Sequence, residues 1–163
     1  MAVRNPLVII NGQVQELPSS DTMPGGTSSE SYVVKLTNGE SGNVARGTPV
    51  YISSADTVKK AQANASATRI VAGLVADASI AGAAVGSVQT DGVITAATAE
   101  WDAVTGQSGG LTPGARYFLD AEAAGQITTD APTDAGDYVH LIGLALSATD
   151  MDLEIDKAGI LIA

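Results

Sequence analysis

Short apolar runs, rich in β-branched residues and separated by turn residues, recur along this chain. Tyr32–Leu36 is one such run, and Ile70–Val75 predicts a buried strand interrupted by Gly73. Helical spacing is rare, and the exception is a short helix predicted from Thr95 to Trp101. The pattern therefore predicts a mainly β fold.

Turn residues predict how some of these strands pair. Asp91-Gly92 lies between two short strand-like segments, residues 87–90 and 93–95, and is typical of a hairpin turn. Farther along, residues 117–119 and 126–129 read as two strands that pair across an alanine-rich turn region. We therefore expect local, antiparallel pairing in both halves of the chain.

A glycine-led pattern occurs twice. The segment GTPVYIS, which begins at Gly47, matches GARYFLD, which begins 67 residues later at Gly114. Two further glycine pairs within apolar runs keep a similar spacing: Gly92 with Gly159, and Gly73 with Gly143. Such self-similarity indicates a repeated structural unit.

The repeat predicts two related small β-rich lobes, sandwich- or barrel-like, behind an extended N-terminal arm. We assign residues 1–31 to the arm and a flexible connector, 32–105 to the first repeat and 106–163 to the second. Within the arm, Leu7–Ile10, Asn11-Gly12 and the following alternating residues predict a hairpin, since Asn-Gly suits a tight two-residue turn. The connector has no apolar periodicity.

The composition offers few aromatic residues for the core, and the charge is unevenly distributed along the chain. One Phe, one Trp and four Tyr among 163 residues leave a mostly aliphatic core, which favours help from oligomerisation. Residues 1–69 hold five acids and six bases, whereas 70–163 hold thirteen acids and two bases, a net charge of −11. We expect no nucleic-acid or anionic-membrane partner for the acidic part. The near-neutral part is the better candidate for docking on an acidic partner.

Targeting and redox signals are few. There is no cysteine, so disulfides and thiolate metal sites are excluded. The first apolar run is too short for a signal-peptide core, and no run is long enough to span a membrane. We expect a soluble protein made in the cytoplasm.

Catalytic chemistry has little support in the sequence. His140 is the single histidine, and Asp137 and Ser147 are the nearest residues able to complete a triad. We interpret His140 as an ordinary strand histidine, and the glycine-rich loops near Gly82 and Gly106 as turns, because they lack a phosphate-loop ending. We expect neither an enzyme nor a cofactor.

Two acidic or aromatic features leave alternatives open. Asp150, Asp152, Glu154 and Asp156 alternate with apolar residues on a predicted strand, about 6.8 Å apart, so neighbours can share a Ca²⁺ ion or simply form a solvated face. We favour the solvated face and predict no metal site. Trp101, between two acids, is the best local candidate for a sugar contact, but we favour a packed anchor at the junction of the repeats.

The residues from Asn5 to Gly25 (NPLVIINGQVQELPSSDTMPG) resemble a leader recurrent in tailed-bacteriophage virion proteins. The downstream order of glycine, strand, AGLV run at Ala72–Val75, then glycine and strand is similar to phage capsid decoration, or cement, proteins. The resemblance implies a non-enzymatic virion protein, often trimeric, that binds the outside of an icosahedral head. Its partner would be the major capsid protein.

The resemblance and the arm together predict the docking residues. We expect Leu7, Val8, Ile9 and Ile10 to add a strand to a capsid sheet, with Arg4 as a partner for capsid acids. The same strand can instead form an edge of the protein's own sheet. A tail or base-plate fibre module that recognises the host surface is the alternative function.

Overall fold

The computed structural model describes residues 31–163 and, before them, the backbone of two strands within residues 7–16. Residues 1–6, 11–12 and 17–30 lie outside the described residues. The described elements, in chain order, are β1 (Leu7–Ile10), β2 (Gln13–Glu16), β3 (Tyr32–Asn38), β4 (Val44–Ala45), β5 (Pro49–Ser54), β6 (Thr57–Lys60), β7 (Gly73–Val75), β8 (Ser79–Ile80), β9 (Val85–Thr95), α1 (Thr98–Thr105), β10 (Arg116–Leu119), β11 (Ile127–Thr128), β12 (Tyr138–Val139), β13 (Leu141–Ala145), β14 (Asp150–Leu153) and β15 (Ile160–Leu161). The mainly β prediction is confirmed.

Five strands close into a small barrel in the first half of the chain. Their order is β9-β3-β6-β5-β7, and β7 returns to pair with β9. All neighbouring pairs are antiparallel except β3 with β6, which is parallel. The interior is aliphatic and is filled by Val44, Val50, Val58, Val75, Ile80 and Val88.

The second half extends the same sheet from the far end of β9. The order there is β9-β14-β13-β10-β11, and each pair is antiparallel. The predicted pairing of residues 117–119 with 126–129 is confirmed, with Phe118 opposite Thr128. Two smaller two-stranded sheets, β4-β8 and β12-β15, complete the described part of the globule.

The predicted hairpin turn at Asp91-Gly92 is wrong. Strand β9 runs without a break from Val85 to Thr95, and its pairing register with β3 shifts at this point. Gly92 has a φ of 79°, a conformation that glycine adopts without strain. The register shift falls at Thr90, which lies between Gln89 opposite Val33 and Asp91 opposite Tyr32 and forms a β-bulge. From Gly92 onward the strand pairs with β14 instead of β3 and β7.

The two glycine-led segments of the sequence repeat make matching backbone hydrogen bonds. The Gly47 N–H donates to the Val75 carbonyl at 2.9 Å, and the Gly114 N–H donates to the Ala145 carbonyl at 2.8 Å. In return, the Val75 N–H donates to the Thr48 carbonyl at 3.0 Å, and the Ala145 N–H donates to the Ala115 carbonyl at 2.9 Å. The strand orders β6-β5-β7-β9 and β11-β10-β13-β14 are thus two versions of one unit.

Gly73 and Gly143 occupy matching places in these two units. Gly73 lies opposite Val50, and Gly143 lies opposite Tyr117. A Cβ atom on either glycine would overlap a backbone carbonyl oxygen of the next strand. Glycine is therefore required here because two backbones approach closely, not because of an unusual φ.

One apolar cluster joins the two units. It combines residues of the first unit, such as Val71 and Leu74, with Trp101 of α1 and with residues of the second unit, such as Tyr117 and Ile142. The predicted short helix is confirmed, although it lies at Thr98–Thr105 and ends at a left-handed Gly106. The exact limits 32–105 and 106–163 stay a prediction.

Candidate functional site

The His140 side chain is buried, both of its ring nitrogens are hydrogen-bonded, and it does not face a cleft as a general base would. Its side chain is fully buried and lies between β12 and β13, not within a strand as predicted. Nδ1 lies 2.9 Å from the Asp156 carbonyl oxygen, and Nε2 lies 2.9 Å from Nη1 of Arg69. Since a carbonyl only accepts and a guanidinium only donates, Nδ1 carries the proton and Nε2 accepts.

Arg69 extends this contact to the C-terminal segment. The same Nη1 donates to the Ala158 carbonyl at 2.7 Å, and the guanidinium carbon lies 4.3 Å from the ring centre of Tyr138. The Gly159 backbone packs against the imidazole so closely that a Cβ atom added to Gly159 would overlap the ring. The cluster fixes the C-terminal segment to the second unit. His140 makes no described hydrogen bond to either of its predicted triad partners, Asp137 and Ser147.

The acidic alternation from Asp150 to Asp156 forms less strand than predicted. Met151 and Leu153 are buried as expected, but β14 ends at Leu153. Glu154 and Asp156 therefore lie beyond the strand, and the predicted four-acid strand face does not form.

The two outer acids of this run are used inside the fold. The Asp150 carboxylate accepts hydrogen bonds from the hydroxyls of Ser147, Thr95 and Thr149, chiefly from Ser147, and these hold its pKa below the ordinary value. Asp156 accepts from the backbone N–H groups of Ala158 and Gly159 at 2.8 and 3.2 Å. The Ca²⁺ interpretation of this strand therefore has no support in the geometry.

A different acidic group, which the sequence analysis missed, surrounds a recess of about 230 Å³. Carboxylate oxygens of Glu122, Asp134 and Asp137 all lie within 4.8 Å of one another. Such a set can ligate a hard cation or remain solvated. The only sequence signal is the density of acids between residues 120 and 137, which come together through loops and not through a regular element.

Trp101 is a packed anchor, as we favoured, and its buried indole offers no surface for a sugar contact. The indole is fully buried, and its Nε1–H donates to the Thr149 carbonyl at 2.9 Å. The adjacent acids are also structural: Glu100 accepts from the Ala97 N–H at 2.8 Å and faces Arg46 at 3.3 Å, and Asp102 accepts from two glycine N–H groups. The helix thus ties the two units together.

Exposed apolar side chains concentrate at the start of β3. Tyr32, Val33 and Val34 are 62, 48 and 42% exposed, although they belong to a sheet. In β3, the described pairing with β6 covers only Thr37 and Asn38. The segment Tyr32–Leu36 therefore pairs with β9 on one side and forms a free edge on the other, within the described part of the chain.

The predicted docking residues fall in two groups. Leu7, Val8, Ile9 and Ile10 form β1, which pairs with β2 from Leu7 opposite Glu16 to Ile10 opposite Gln13. The predicted turn at Asn11-Gly12 lies outside the described residues, and the extended arm stays a prediction. Arg4 lies outside the described residues. Among the described strands, β1 and β2 form a sheet of their own.

The comparisons with known proteins find no matching protein-family model and no matching curated protein. Within the described residues, no helix combines the length and the apolar character that crossing a membrane requires.

Proposed function

We propose that this protein is a structural virion component that binds the outer surface of a phage capsid and decorates or reinforces it. The observation that carries the proposal is the β1-β2 sheet. It contains the most apolar short run of the arm and is separate from the nine-stranded sheet among the described strands. Its location on the virion is part of the same proposal.

A two-stranded hairpin supports docking because it is incomplete as a sheet. Two strands alone are marginally stable in water, and a third strand is needed to cover an apolar face. Addition to an exposed edge of the major capsid protein supplies that third strand through backbone hydrogen bonds. Leu7–Ile10 then makes the apolar contacts, and Arg4 approaches capsid carboxylates.

The charge distribution supports one orientation of the protein on the capsid. The part of the chain after residue 69 carries a net charge of −11, and the recess beside Glu122 and Asp134 belongs to it. Repulsion between such surfaces keeps decorated particles apart when this part faces solvent. The near-neutral part with the arm then faces the shell.

The proposed assembly is a homo-oligomer, with a trimer favoured by the resemblance to decoration proteins. Several arms on one oligomer increase avidity through effective concentration, so each contact can be weak. Light scattering of the purified full chain measures the oligomer order directly.

The test uses heads of the phage that encodes the chain, stripped of this protein and mixed with purified variants. We expect surface density by cryo-electron microscopy with the wild type, and none after Val8→Asp with Ile10→Asp, because charged side chains cannot enter an apolar contact without a large desolvation penalty.

The matched control is Leu146→Asp, which changes a residue that is 51% exposed in the second unit. We expect this variant to bind normally. Normal binding by the Val8/Ile10 variant would contradict docking through the arm. Density confined to tails or base plates would favour the fibre alternative.

A further inference from the structure

The single histidine holds the C-terminal segment through hydrogen bonds that only its neutral form can make. The His140 ring is fully buried, and its Nδ1–H donates to the Asp156 carbonyl at 2.9 Å. Its Nε2 accepts from Arg69, and the same Nη1 of that arginine donates to the Ala158 carbonyl at 2.7 Å. A second proton on the ring would turn Nε2 into a donor that faces another donor. The contact therefore has no place for that proton.

The charge in direct contact with the ring also opposes a second proton. This charge is the guanidinium of Arg69, whose Nη1 lies 2.9 Å from Nε2 of His140. Among the described residues, Arg69 forms no salt bridge, and its buried Nε has no hydrogen-bond partner. Protonation of the ring would therefore place two cations side by side at a buried position, where water and salt screen their repulsion weakly.

The other charged or ionisable groups of the neighbouring elements do not offset this repulsion. Tyr138 of β12 presents an aromatic ring, with 6.4 Å between the two ring centres. The carboxylates of Asp120, after β10, and Asp156, after β14, each accept two backbone N–H groups of their own turns. Asp137 belongs to the acidic group already described, and Lys157 lines two other recesses. The described hydrogen bonds thus place no carboxylate on either ring nitrogen.

The segment that this contact holds is small enough to open by itself. Strand β15 pairs with β12 through two residue pairs, and its Ile160 and Leu161 are 67 and 56% exposed. Opening the segment therefore exposes little additional apolar surface of β15. Segments with few buried contacts open at a lower free energy than the whole fold. Whether this segment is closed can thus depend on one contact, the one at His140.

We propose that residues 157–163 form an acid-released latch, which is closed while His140 is neutral and opens when His140 gains a second proton. On opening, the hydrogen bond between His140 and Arg69 is lost, and β15 separates from β12. Strand β12 then loses the partner that it has in the closed state. This inference does not depend on the proposed function.

The test is hydrogen exchange of the full chain, without a histidine tag, between pH 7 and pH 5. The chain has one histidine and no cysteine, and histidine is the side chain that ordinarily titrates in this range. The probe is the Ile162 amide, which donates to the Asp137 carbonyl at 2.9 Å. Its protection factor, the exchange rate relative to an unstructured peptide at the same pH, removes the intrinsic effect of pH on exchange.

The expected size follows from proton linkage. If the closed state binds no second proton and the open state has the ordinary histidine pKa of about 6.5, opening becomes about 25-fold more favourable from pH 7 to pH 5. We therefore expect the Ile162 protection factor to fall at least about tenfold over this range. The Val75 amide, which donates to the Thr48 carbonyl in the first unit, is the internal control, and we expect its protection to change less than about threefold.

Two variants separate the latch from a general loss of stability. His140→Gln has no titrating side chain at this position, so we expect its Ile162 protection to change less than about threefold, whatever its value at pH 7. Arg69→Gln keeps a side-chain N–H but removes the cation, and we expect a smaller acid response than in the wild type.

Three results would overturn the proposal. The first is constant protection of Ile162 in the wild type, and the second is an equal fall in His140→Gln. The third is a parallel fall at Val75, which would indicate global acid unfolding. If His140→Gln fails to fold, nitrogen NMR of the wild-type imidazole decides: a second ring proton gained by pH 5 without loss of Ile162 protection would show that the latch does not respond to it.

Discussion

The two glycines at matching places in the repeat give a quantitative prediction. At both Gly73 and Gly143, a Cβ atom would overlap a backbone carbonyl oxygen, of Gln89 in one unit and of Asp152 in the other. A backbone atom cannot rotate away as a side chain can, so the facing strands must separate. Neither glycine has a positive φ, which leaves steric overlap as the reason for glycine.

The magnitude follows from overpacking and lost hydrogen bonds. Overpacking in a well-packed interior costs about 1–3 kcal/mol, and weakening one ladder hydrogen bond adds about 1 kcal/mol. The lower entropy of an unfolded chain with alanine offsets about 0.4–1 kcal/mol. We therefore expect Gly73→Ala and Gly143→Ala each to lower the free energy of unfolding by about 2 kcal/mol, or the melting temperature by about 4–8 °C.

Thermal unfolding followed by circular dichroism, at one fixed protein concentration, measures this effect. Gly42→Ala is the matched control, because no heavy atom lies within 4 Å of its added Cβ and its φ is not positive. We expect this control to stay within about 0.5 kcal/mol of the wild type. If either variant melts like the control, the close backbone approach is not what glycine provides. If only one does, the two units are not structurally equivalent.

Three further substitutions test the other contacts. Trp101→Phe should cost about 2–3 kcal/mol in thermal unfolding, since it removes indole volume and the hydrogen bond to Thr149; a neutral result would contradict the packed anchor. The lowered pKa of Asp150, due first to Ser147, means that its stabilisation is present at neutral pH and is lost as pH falls through that pKa. The stability difference between wild type and Asp150→Asn should therefore shrink toward pH 3, and a constant difference would refute it. His140→Ala should speed hydrogen exchange at the Ile162 amide, which donates to the Asp137 carbonyl at 2.9 Å. An unchanged exchange rate would show that the His140 cluster does not stabilise the C-terminal segment.

The sequence predicted features that depend on local pattern. The repeat is visible because the same glycines are required in both units, and Leu7–Ile10 reads as a strand because Asn-Gly follows it. Met151 and Leu153 are buried as the alternation predicted. These signals involve neighbouring residues or a fixed spacing, so no tertiary information is needed to find them.

Features set by distant contacts were predicted less well. Asp91-Gly92 has the composition of a turn, but β14 lies alongside and extends the strand through it. Ile70 belongs to an apolar run yet is 48% exposed, and the strand predicted over 70–75 forms only at Gly73–Val75. Likewise, the partners of His140 are 71 and 16 residues away in the chain, and no motif links them. Sequence pattern does not encode which strand will lie beside a segment.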